Sequence, residues 1–488
     1  MSTSGSFSTK VIKSFLYSGA GNTFSKVINV IGLFVLLKII SPEAFGTASI
    51  VLAIYAVIQA VTELGLGVAI VQAKELTRRE KDSLFWISFF LTLFIYLLIY
   101  LFAPLAASFY DESSLTNLIQ VHGLIIVLFT FYFVPRNMLK RDLHFKEITI
   151  IDNVSLILST ILMVVLGYMG FGAWSIIGAE VGNRFGQLIL TQFYHPFWPK
   201  FQFNWEEIKE KVFFGLYATG SRLLYNLYSN ADYLIVGRVF GTEAVGIYTL
   251  AYRIVSDTLK TLTSNLNEVA YPAFSRLQKE IKRLQLYFFT LARGSMQLNS
   301  IVLILIALFI DDILLLGGFD EWIEAVPIIR LLAASSILRT VSPLVPQLLN
   351  AVGQARLNFF YSLFNTIVMP IAFMVGAQFG LLGIGWAWLI GYPVVVLLLF
   401  YFGSQSLEVS LFYFIRKSFS GFWLLPLLLA VGIGIESGLG TILPQGSIVI
   451  PLIGVPAILG LGIYIIYTRE KETIDLLRGK IKKIPEND

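Results

Sequence analysis

Arginine and lysine residues lie inside long apolar stretches of this sequence, where a charge at the centre of a bilayer costs at least ~2.5 kcal/mol. Such residues usually face a water-filled cavity, and many here share a helix face with polar residues three, four or seven positions away. Guanidinium and ammonium groups bind phosphate oxygens well, so the pattern predicts a net basic cavity for an anionic substrate. The candidate substrate-binding residues are Lys26, Tyr55, Gln59, Arg184, Arg222, Asn226, Tyr233, Arg253, Lys260, Arg293 and Arg339.

Acidic residues in the same stretches are candidates for binding a coupling proton or sodium ion. These candidates are Glu63, Glu180 and Asp257. A structural role is the alternative, because Glu180 and Arg184 are four residues apart and could neutralise each other within one helix. Asp257 could similarly offset Arg253 or Lys260. For the other basic residues, the alternative is pairing with an acidic residue on another helix.

The residues that other chemistries require are missing or scattered. The chain has no cysteine, which excludes disulfides, thiolate nucleophiles and sulfur-ligated metals. Its three histidines, His122, His144 and His195, are far apart and predict no metal cluster. The longest stretch between apolar segments is about 17 residues, too short for a catalytic or nucleotide-binding domain. We therefore expect no enzymatic activity, no metal and no cofactor.

The elements that must position these residues are predicted from composition and length. A hydrophobic content of 56%, a charged content of 14% and a mean hydropathy of +0.76 are typical of an integral membrane protein. A membrane-spanning helix needs ~20 mostly apolar residues, and about fourteen such segments can be placed. The predicted fold class is therefore an all-α polytopic membrane protein. The predicted spans are 14–38, 46–70, 83–103, 115–135, 148–168, 173–194, 212–238, 246–270, 287–310, 323–347, 358–378, 382–403, 419–437 and 447–467.

Basic residues are confined to alternate loops between these spans. If the N-terminus is inside, the outside loops contain no lysine or arginine and carry acidic residues such as Glu43, Asp111 and Glu243. Loops rich in lysine and arginine stay in the cytoplasm, so both termini are predicted to be cytoplasmic. This topology, rather than nucleic-acid binding, explains the formal net charge of +5.

Three short motifs recur in the same order about 200 residues further along the chain. The pairs are residues 41–46 with 241–246, 134–135 with 345–346, and 170–178 with 383–391. The slowly growing offset indicates duplication of a six-helix unit, and an even number of helices makes the two copies parallel repeats. The alternative is chance recurrence of glycine-rich turns. The predicted domains are an N-terminal six-helix lobe (1–200), a C-terminal six-helix lobe (201–405), two additional helices (406–467) and a basic cytoplasmic tail (468–488).

Several segments resemble the Wzx-type polysaccharide flippases of the multidrug/oligosaccharidyl-lipid/polysaccharide exporter superfamily. The segments are NADYLIVGR at 230–238, GIYTLAYR at 246–253, YPAFSRLQ at 271–278, ISPEAFG at 40–46 and ELG at 63–65. The likeness covers nearly the whole chain and is strongest to the colanic-acid and teichuronic-acid exporter branch. These motifs say little about which glycan is handled.

The resemblance implies a fourteen-helix protein of the bacterial inner membrane. It would flip an undecaprenyl-diphosphate-linked oligosaccharide from the cytoplasmic to the periplasmic leaflet by alternating access, with the basic cavity holding the diphosphate. Tyr55, Tyr233 and Tyr252 could stack on sugars. The expected partners are this lipid-linked oligosaccharide, the lipid bilayer and polysaccharide polymerase or assembly proteins.

Two other functions stay open. A drug/cation antiporter of the same fold would require a predominantly acidic cavity. A membrane glycan polymerase or ligase would require a sizeable periplasmic site, whereas the outside loops are short and contain no arginine, lysine or histidine.

Overall fold

The computed structural model describes residues 3–62, 66–73, 76–442 and 447–469. Within these ranges the regular structure is helical and no β-strand forms. Ten helices in the described ranges are long and apolar enough to cross a membrane, and Gly21–Leu37 and Leu424–Gly440 are shorter apolar helices. The prediction of an all-α polytopic membrane protein is confirmed at this level, whereas the count of fourteen spans and the cytoplasmic position of the termini stay predictions.

The chain forms two compact units, Met1–Gly246 and Ile247–Asp488. The division between them falls inside helix α8. The lobe boundary that the repeat predicts, at residue 200, divides the chain by duplication rather than by compactness, and it stays a prediction. The helices of the first unit are α1 (Thr3–Leu37), α2 (Pro42–Thr62), α3 (Leu66–Gln72), α4 (Arg78–Tyr110), α5 (Leu115–Arg141), α6 (Phe145–Tyr168), α7 (Ala173–Tyr194) and most of α8 (Trp205–Tyr252).

The second unit continues directly from α8 through a single π-helical turn, Arg253–Asp257. A second π-helical turn, Ala387–Gly391, joins α14 to α15. The helices of this unit are α9 (Thr258–Leu277), α10 (Ile281–Gly317), α11 (Ala325–Arg339), α12 (Leu344–Ala351), α13 (Ala355–Ala377), α14 (Leu381–Trp386), α15 (Tyr392–Ser406), α16 (Leu411–Ser418), α17 (Leu424–Gly440) and α18 (Val449–Arg469).

Local sequence signals explain where several helices begin and end. The Thr77 side chain accepts from the Glu80 backbone N–H at 3.1 Å and the Glu80 carboxylate accepts from the Thr77 N–H at 2.7 Å, a capping box that starts α4. Asp111 ends α4 in the left-handed conformation, with φ 55°. Gly241 has φ 84° and interrupts α8 where the sequence predicts the loop between spans 7 and 8.

Small residues allow helices within each unit to approach closely. In the first unit α6 packs on α7 and on α1. In the second unit α10 packs against α17 and α18, and a Cβ atom at Gly462 of α18 would meet the Ile301 side chain at 2.7 Å. Helices in lipid associate through such close van der Waals packing, because lipid tails are as apolar as the side chains.

The first repeated motif and its copy contact each other inside the first unit. A Cβ atom at Gly46 would overlap the backbone carbonyl of Thr242, and one at Gly246 would overlap the carbonyl of Pro42. Both contacts join positions related by the 200-residue offset, and each copy presents the same two positions to the other. Such reciprocity is typical of a contact across a two-fold axis. We call residues 42–46 and 242–246 the glycine junction.

Candidate functional site

The guanidinium of Arg339 is held against aromatic rings of the second unit. Arg339 ends α11 and donates from Nη1 to Ser256 Oγ at 3.0 Å and from Nη2 to the Tyr252 hydroxyl at 3.3 Å. Its Cζ lies 4.8 Å from the ring centre of Trp388 and 5.5 Å from that of Tyr252. Contacts between a cation and an aromatic face contribute ~0.5–2 kcal/mol each. These contacts fix the orientation of a charged group that is only half-buried.

The π-helical turn and the start of α9 bring two further cations to one carboxylate. Asp257 lies between Arg253 (Nε–Oδ2 3.9 Å) and Lys260 (Nζ–Oδ1 3.5 Å), as their spacing predicts. The exposed fraction of the side chain is 44% for Arg253, 54% for Asp257 and 57% for Lys260, so all three are accessible. Single π-helical turns often occur at functional sites.

Tyr252 connects these two groups. The Nζ of Lys260 lies 5.6 Å from the Tyr252 ring centre, so Lys260 and Arg339 both contact this ring. Tyr252 is 5% exposed, which means that it supports cations rather than presenting a face to a sugar. We call Tyr252, Arg253, Asp257, Lys260 and Arg339 the basic cluster. With three cations and one carboxylate it is net basic, and such an arrangement can bind phosphate oxygens.

A second polar group surrounds Arg184 in the first unit. Arg184 Nη1 donates to Gln187 Oε1 at 3.3 Å and, at the long distance of 3.5 Å, to the Tyr132 hydroxyl, which itself donates to Gln187 at 3.1 Å. Among the described residues Arg184 forms no ion pair with Glu180, so the structure does not contain the alternative intrahelical pair, and the Nε of Arg184 is buried without a hydrogen-bond partner. Leaving a buried donor without a partner is costly.

The other sequence-predicted candidates are distributed over several helices. Tyr55 of α2 contacts the buried His122 ring edge-on at 4.6 Å. Arg293 of α10 is half-buried, and its backbone carbonyl lies against Gly421. The side chain of Arg222 and the residue Glu63 lie outside the described residues. The remaining candidates are half-buried and lie on α1, α2 and α8: Lys26, Gln59, Asn226 and Tyr233.

Several intramembrane charges are neutralised away from the basic cluster. Arg330 pairs with Asp311 at 3.1 Å and donates to the Ala307 carbonyl at 2.9 Å. It lies nine residues before Arg339, which places it on the opposite face of the helix. Near the ends of other helices, Arg136 pairs with Asp152 at 2.8 Å and Arg238 with Asp111 at 2.9 Å. These pairs have structural roles, and Arg330 provides a matched control for Arg339.

Sequence reasoning did not identify four side chains that hold the candidate cations. Gln187 lies three residues after Arg184, so helical spacing could have indicated it. Ser256 lies three residues after Arg253 and four before Lys260, so helical spacing could have indicated it as well. Tyr132 and Trp388 gave no local signal, because their contacts depend on how separate helices pack.

Replacing Asp257 with asparagine should strengthen anion binding. The carboxylate competes with an incoming anion for Arg253 and Lys260, and one charge at this distance contributes about 1 kcal/mol in a wet site. We expect inorganic diphosphate to bind roughly fivefold more tightly to Asp257→Asn, as measured by titration calorimetry on the purified protein. Asp311→Asn, which removes a carboxylate elsewhere in the same unit, should leave binding unchanged. Weaker binding to Asp257→Asn would contradict the role of this carboxylate.

Comparison with known families and proteins places the chain among proteins of polysaccharide synthesis. The family described as "polysaccharide biosynthesis protein" matches residues 35–327. The chain is 25% identical over 403 residues to an uncharacterized membrane protein in the cps region of Klebsiella pneumoniae, covering 81% of this chain and 83% of that protein. It is 26% identical over 370 residues to teichuronic acid biosynthesis protein TuaB of Bacillus subtilis strain 168 (71% and 75% covered). Identity to lipopolysaccharide biosynthesis protein WzxC of Escherichia coli strain K12 is 22% over 371 residues (76% and 75% covered).

Two solved structures share the fold at low sequence identity. The inward closed conformation of the lipid II flippase MurJ superposes with a TM-score of 0.71 at 12% identity, covering 93% of this chain and 99% of that chain. The inward-facing conformation of a multidrug resistance MATE family transporter gives a TM-score of 0.64 at 15% identity, covering 79% and 94%. At these identities the likeness establishes the fold alone.

Proposed function

Because the chain belongs to the polysaccharide biosynthesis protein family, we propose that it is a flippase for the lipid-linked precursor of a surface polysaccharide. The substrate is an undecaprenyl-diphosphate-linked oligosaccharide, which moves from the cytoplasmic to the periplasmic leaflet of the bacterial inner membrane. Movement occurs by alternating access, with the six-helix lobes predicted from the repeat as the moving parts. The Wzx-type relatives and the membrane-spanning helices support this proposal.

The observation that carries the proposal is the accessible, net basic cluster around Tyr252. A diphosphate has several oxygen atoms that can accept from more than one cation at once. Arg339 is already oriented by Ser256 and Tyr252, while Arg253 and Lys260 are about half exposed and can turn toward a headgroup. Arginine in particular can bind phosphate with two parallel hydrogen bonds.

The headgroup must also be released, so its attraction to the cations of the basic cluster has to be limited. Asp257 lies between two of the cations and lowers their affinity for an anion. As a carboxylate it is also our candidate for binding a coupling proton or sodium ion. Glu63 and Glu180 are further candidates for this coupling role. Arg184, Arg222, Arg293 and Lys26 are proposed to contact the diphosphate or acidic sugars, and Tyr55 and Tyr233 to stack on sugar rings.

The charge of the basic cluster disfavours the drug/cation antiporter. An organic cation entering it would meet three positive side chains and one carboxylate. The shared fold with a multidrug transporter does not offset this argument, because fold similarity alone does not specify the transported charge.

Complementation tests the proposed function directly. In a strain lacking its own oligosaccharide-lipid flippase, the wild-type chain should restore surface polysaccharide and remove lipid-linked sugar from the cytoplasmic leaflet. The double variant Arg253→Gln/Lys260→Gln should restore roughly thirtyfold less, because two charge contacts of about 1 kcal/mol each are lost. Arg283→Gln, which breaks an exposed pair with Glu280, is the control and should rescue fully.

Two outcomes would contradict parts of the proposal. Failure of the wild-type chain to rescue across several glycan backgrounds, at normal membrane levels, would contradict the flippase function. Full rescue by the double variant would leave the flippase function standing but would remove the basic cluster as its anion site.

A further inference from the structure

Residues 196–204, called the strap below, join α7 to α8 and are fixed to the beginning of α4. The indole Nε1 of Trp86 donates to the carbonyl of Lys200 at 2.9 Å. The Ser83 hydroxyl accepts from the backbone N–H of Asn204 at 2.9 Å. A connection held through its own backbone in this way is an ordered element rather than a loose linker.

A buried carboxylate completes the attachment. Asp82 is fully buried, and its Oδ1 accepts from the Lys200 backbone N–H at 3.2 Å and pairs with Arg78 Nε at 3.3 Å. Arg78 also donates to the carbonyl of Trp198 and lies over the Phe197 ring, 4.6 Å from its centre. Four residues within two turns of α4 (residues 78–86) therefore hold the strap at several points.

The attached strap presents large aromatic rings outward. The exposed fraction is 75% for Trp198, 86% for Phe201 and 53% for Phe203. Contiguous exposed apolar surface of this kind usually marks an interaction site. Because the backbone beneath these rings is fixed, ordering them against a partner costs little conformational entropy.

The position of the rings indicates the partner. The Phe201 ring lies 4.3 Å from Trp86, whose ring lies 5.8 Å from Phe90, one turn further along α4. Phe90 and Phe94 are 58% and 59% exposed on a helix long and apolar enough to cross the membrane. The strap rings thus continue the lipid-facing row of α4 at its polar end. Tryptophan concentrates at the membrane–water interface, and apolar Trp and Phe side chains of interfacial segments insert at the boundary between headgroups and acyl chains.

We propose that the strap is a bilayer anchor: Trp198, Phe201 and Phe203 lie in the headgroup region of the phospholipid bilayer, and residues 78–86 of α4 hold them there. The anchor sets the depth at which the connection between α7 and α8 crosses the membrane surface. The anchor proposal does not depend on the transported substrate, so an experiment can contradict it without contradicting the proposed function.

The absence of cysteine from the chain permits a direct test. Phe201→Cys creates a single thiol for an environment-sensitive fluorophore in the full-length protein, reconstituted in phosphatidylcholine vesicles with brominated acyl chains. The neighbouring exposed residue gives the control variant, Gln202→Cys. We expect quenching by brominated lipid to be about twofold or more stronger at position 201, and quenching by aqueous iodide to be weaker there. Stronger iodide quenching at 201, or protection from both quenchers by a protein partner, would overturn the proposal.

A second pair of variants tests the attachment to α4. In the Phe201→Cys background, Asp82→Asn should reduce lipid quenching at position 201 toward the value at 202, because the carboxylate that binds the Lys200 N–H and orients Arg78 is lost. Ser83→Ala removes one tether only and should have a smaller effect. If Asp82→Asn protein elutes from a gel-filtration column like the parent protein and its lipid quenching is unchanged, the proposed attachment of the strap to α4 is wrong.

Discussion

Arg339→Gln is expected to reduce export of surface polysaccharide roughly tenfold or more at equal membrane levels, since a hydrogen bond to a charged group contributes about 1.5–3 kcal/mol. The wild-type guanidinium bonds Ser256 and Tyr252 and stacks on Trp388, and glutamine removes both its charge and its planar fork. The measurement is the complementation assay, read as surface polysaccharide and as lipid-linked sugar retained in the cytoplasmic leaflet.

Arg330→Gln is the matched control on the same helix. Arg330 is exposed, pairs with Asp311 and donates to the Ala307 carbonyl, so it contributes to packing near one end of α11 rather than to the basic cluster. Export by this variant should stay within about twofold of wild type, because exposed ion pairs contribute about 1 kcal/mol or less. Equal loss in both variants would indicate that charges on α11 act through folding.

A purely structural role for Arg339 predicts different results for the unfolding temperature and for diphosphate affinity. If Arg339 only stabilises the second unit, Arg339→Gln should lower the unfolding temperature in detergent while leaving diphosphate affinity per folded molecule unchanged. If it binds the anion, affinity should fall and the unfolding temperature should change little. Arg339→Lys separates charge from geometry, because lysine keeps the charge but cannot form two parallel bonds.

The helices could be predicted because the length of each apolar segment, together with local capping residues and glycines, determines where a helix begins and ends. Gly241 interrupts α8 where a loop was expected, and the Thr77 to Glu80 capping box marks the start of α4. The lobe boundary at residue 200 stays a prediction, because the division of the chain into compact units depends on packing between helices that are distant in sequence.

The candidate site was predictable where its contacts are local. Arg253, Asp257 and Lys260 are three or four residues apart, and the structure pairs them as helical spacing requires. Spacing alone was insufficient for Glu180 and Arg184, because Arg184 turns to Tyr132 and Gln187 instead. The aromatic support of Arg339 by Trp388 joins residues 49 positions apart, and nothing in either local sequence indicates it.

Gly46→Ala is expected to lower the free energy of unfolding of the chain by about 2 kcal/mol, the usual cost of forcing an extra methyl group into a packed contact. The added Cβ would overlap the Thr242 carbonyl, and a backbone carbonyl cannot move aside as a side chain can. Gly246→Ala should cost a similar amount, because its Cβ meets the Pro42 carbonyl in the reciprocal position. The measurement is thermal or denaturant unfolding in detergent micelles.

The reciprocal geometry of the glycine junction makes the double variant the sharper test. Once one Cβ has pushed residues 42–46 away from residues 242–246, the second Cβ enters space that is already open. The combined loss should therefore be smaller than the sum of the single losses, by about 1 kcal/mol, as expected for residues in one contact. Gly294→Ala is the control, because a Cβ there meets nothing within 4 Å, and alanine within a helix should raise stability by ~0.5–1 kcal/mol. Strict additivity of Gly46→Ala and Gly246→Ala would show that the two copies of the motif do not share one contact.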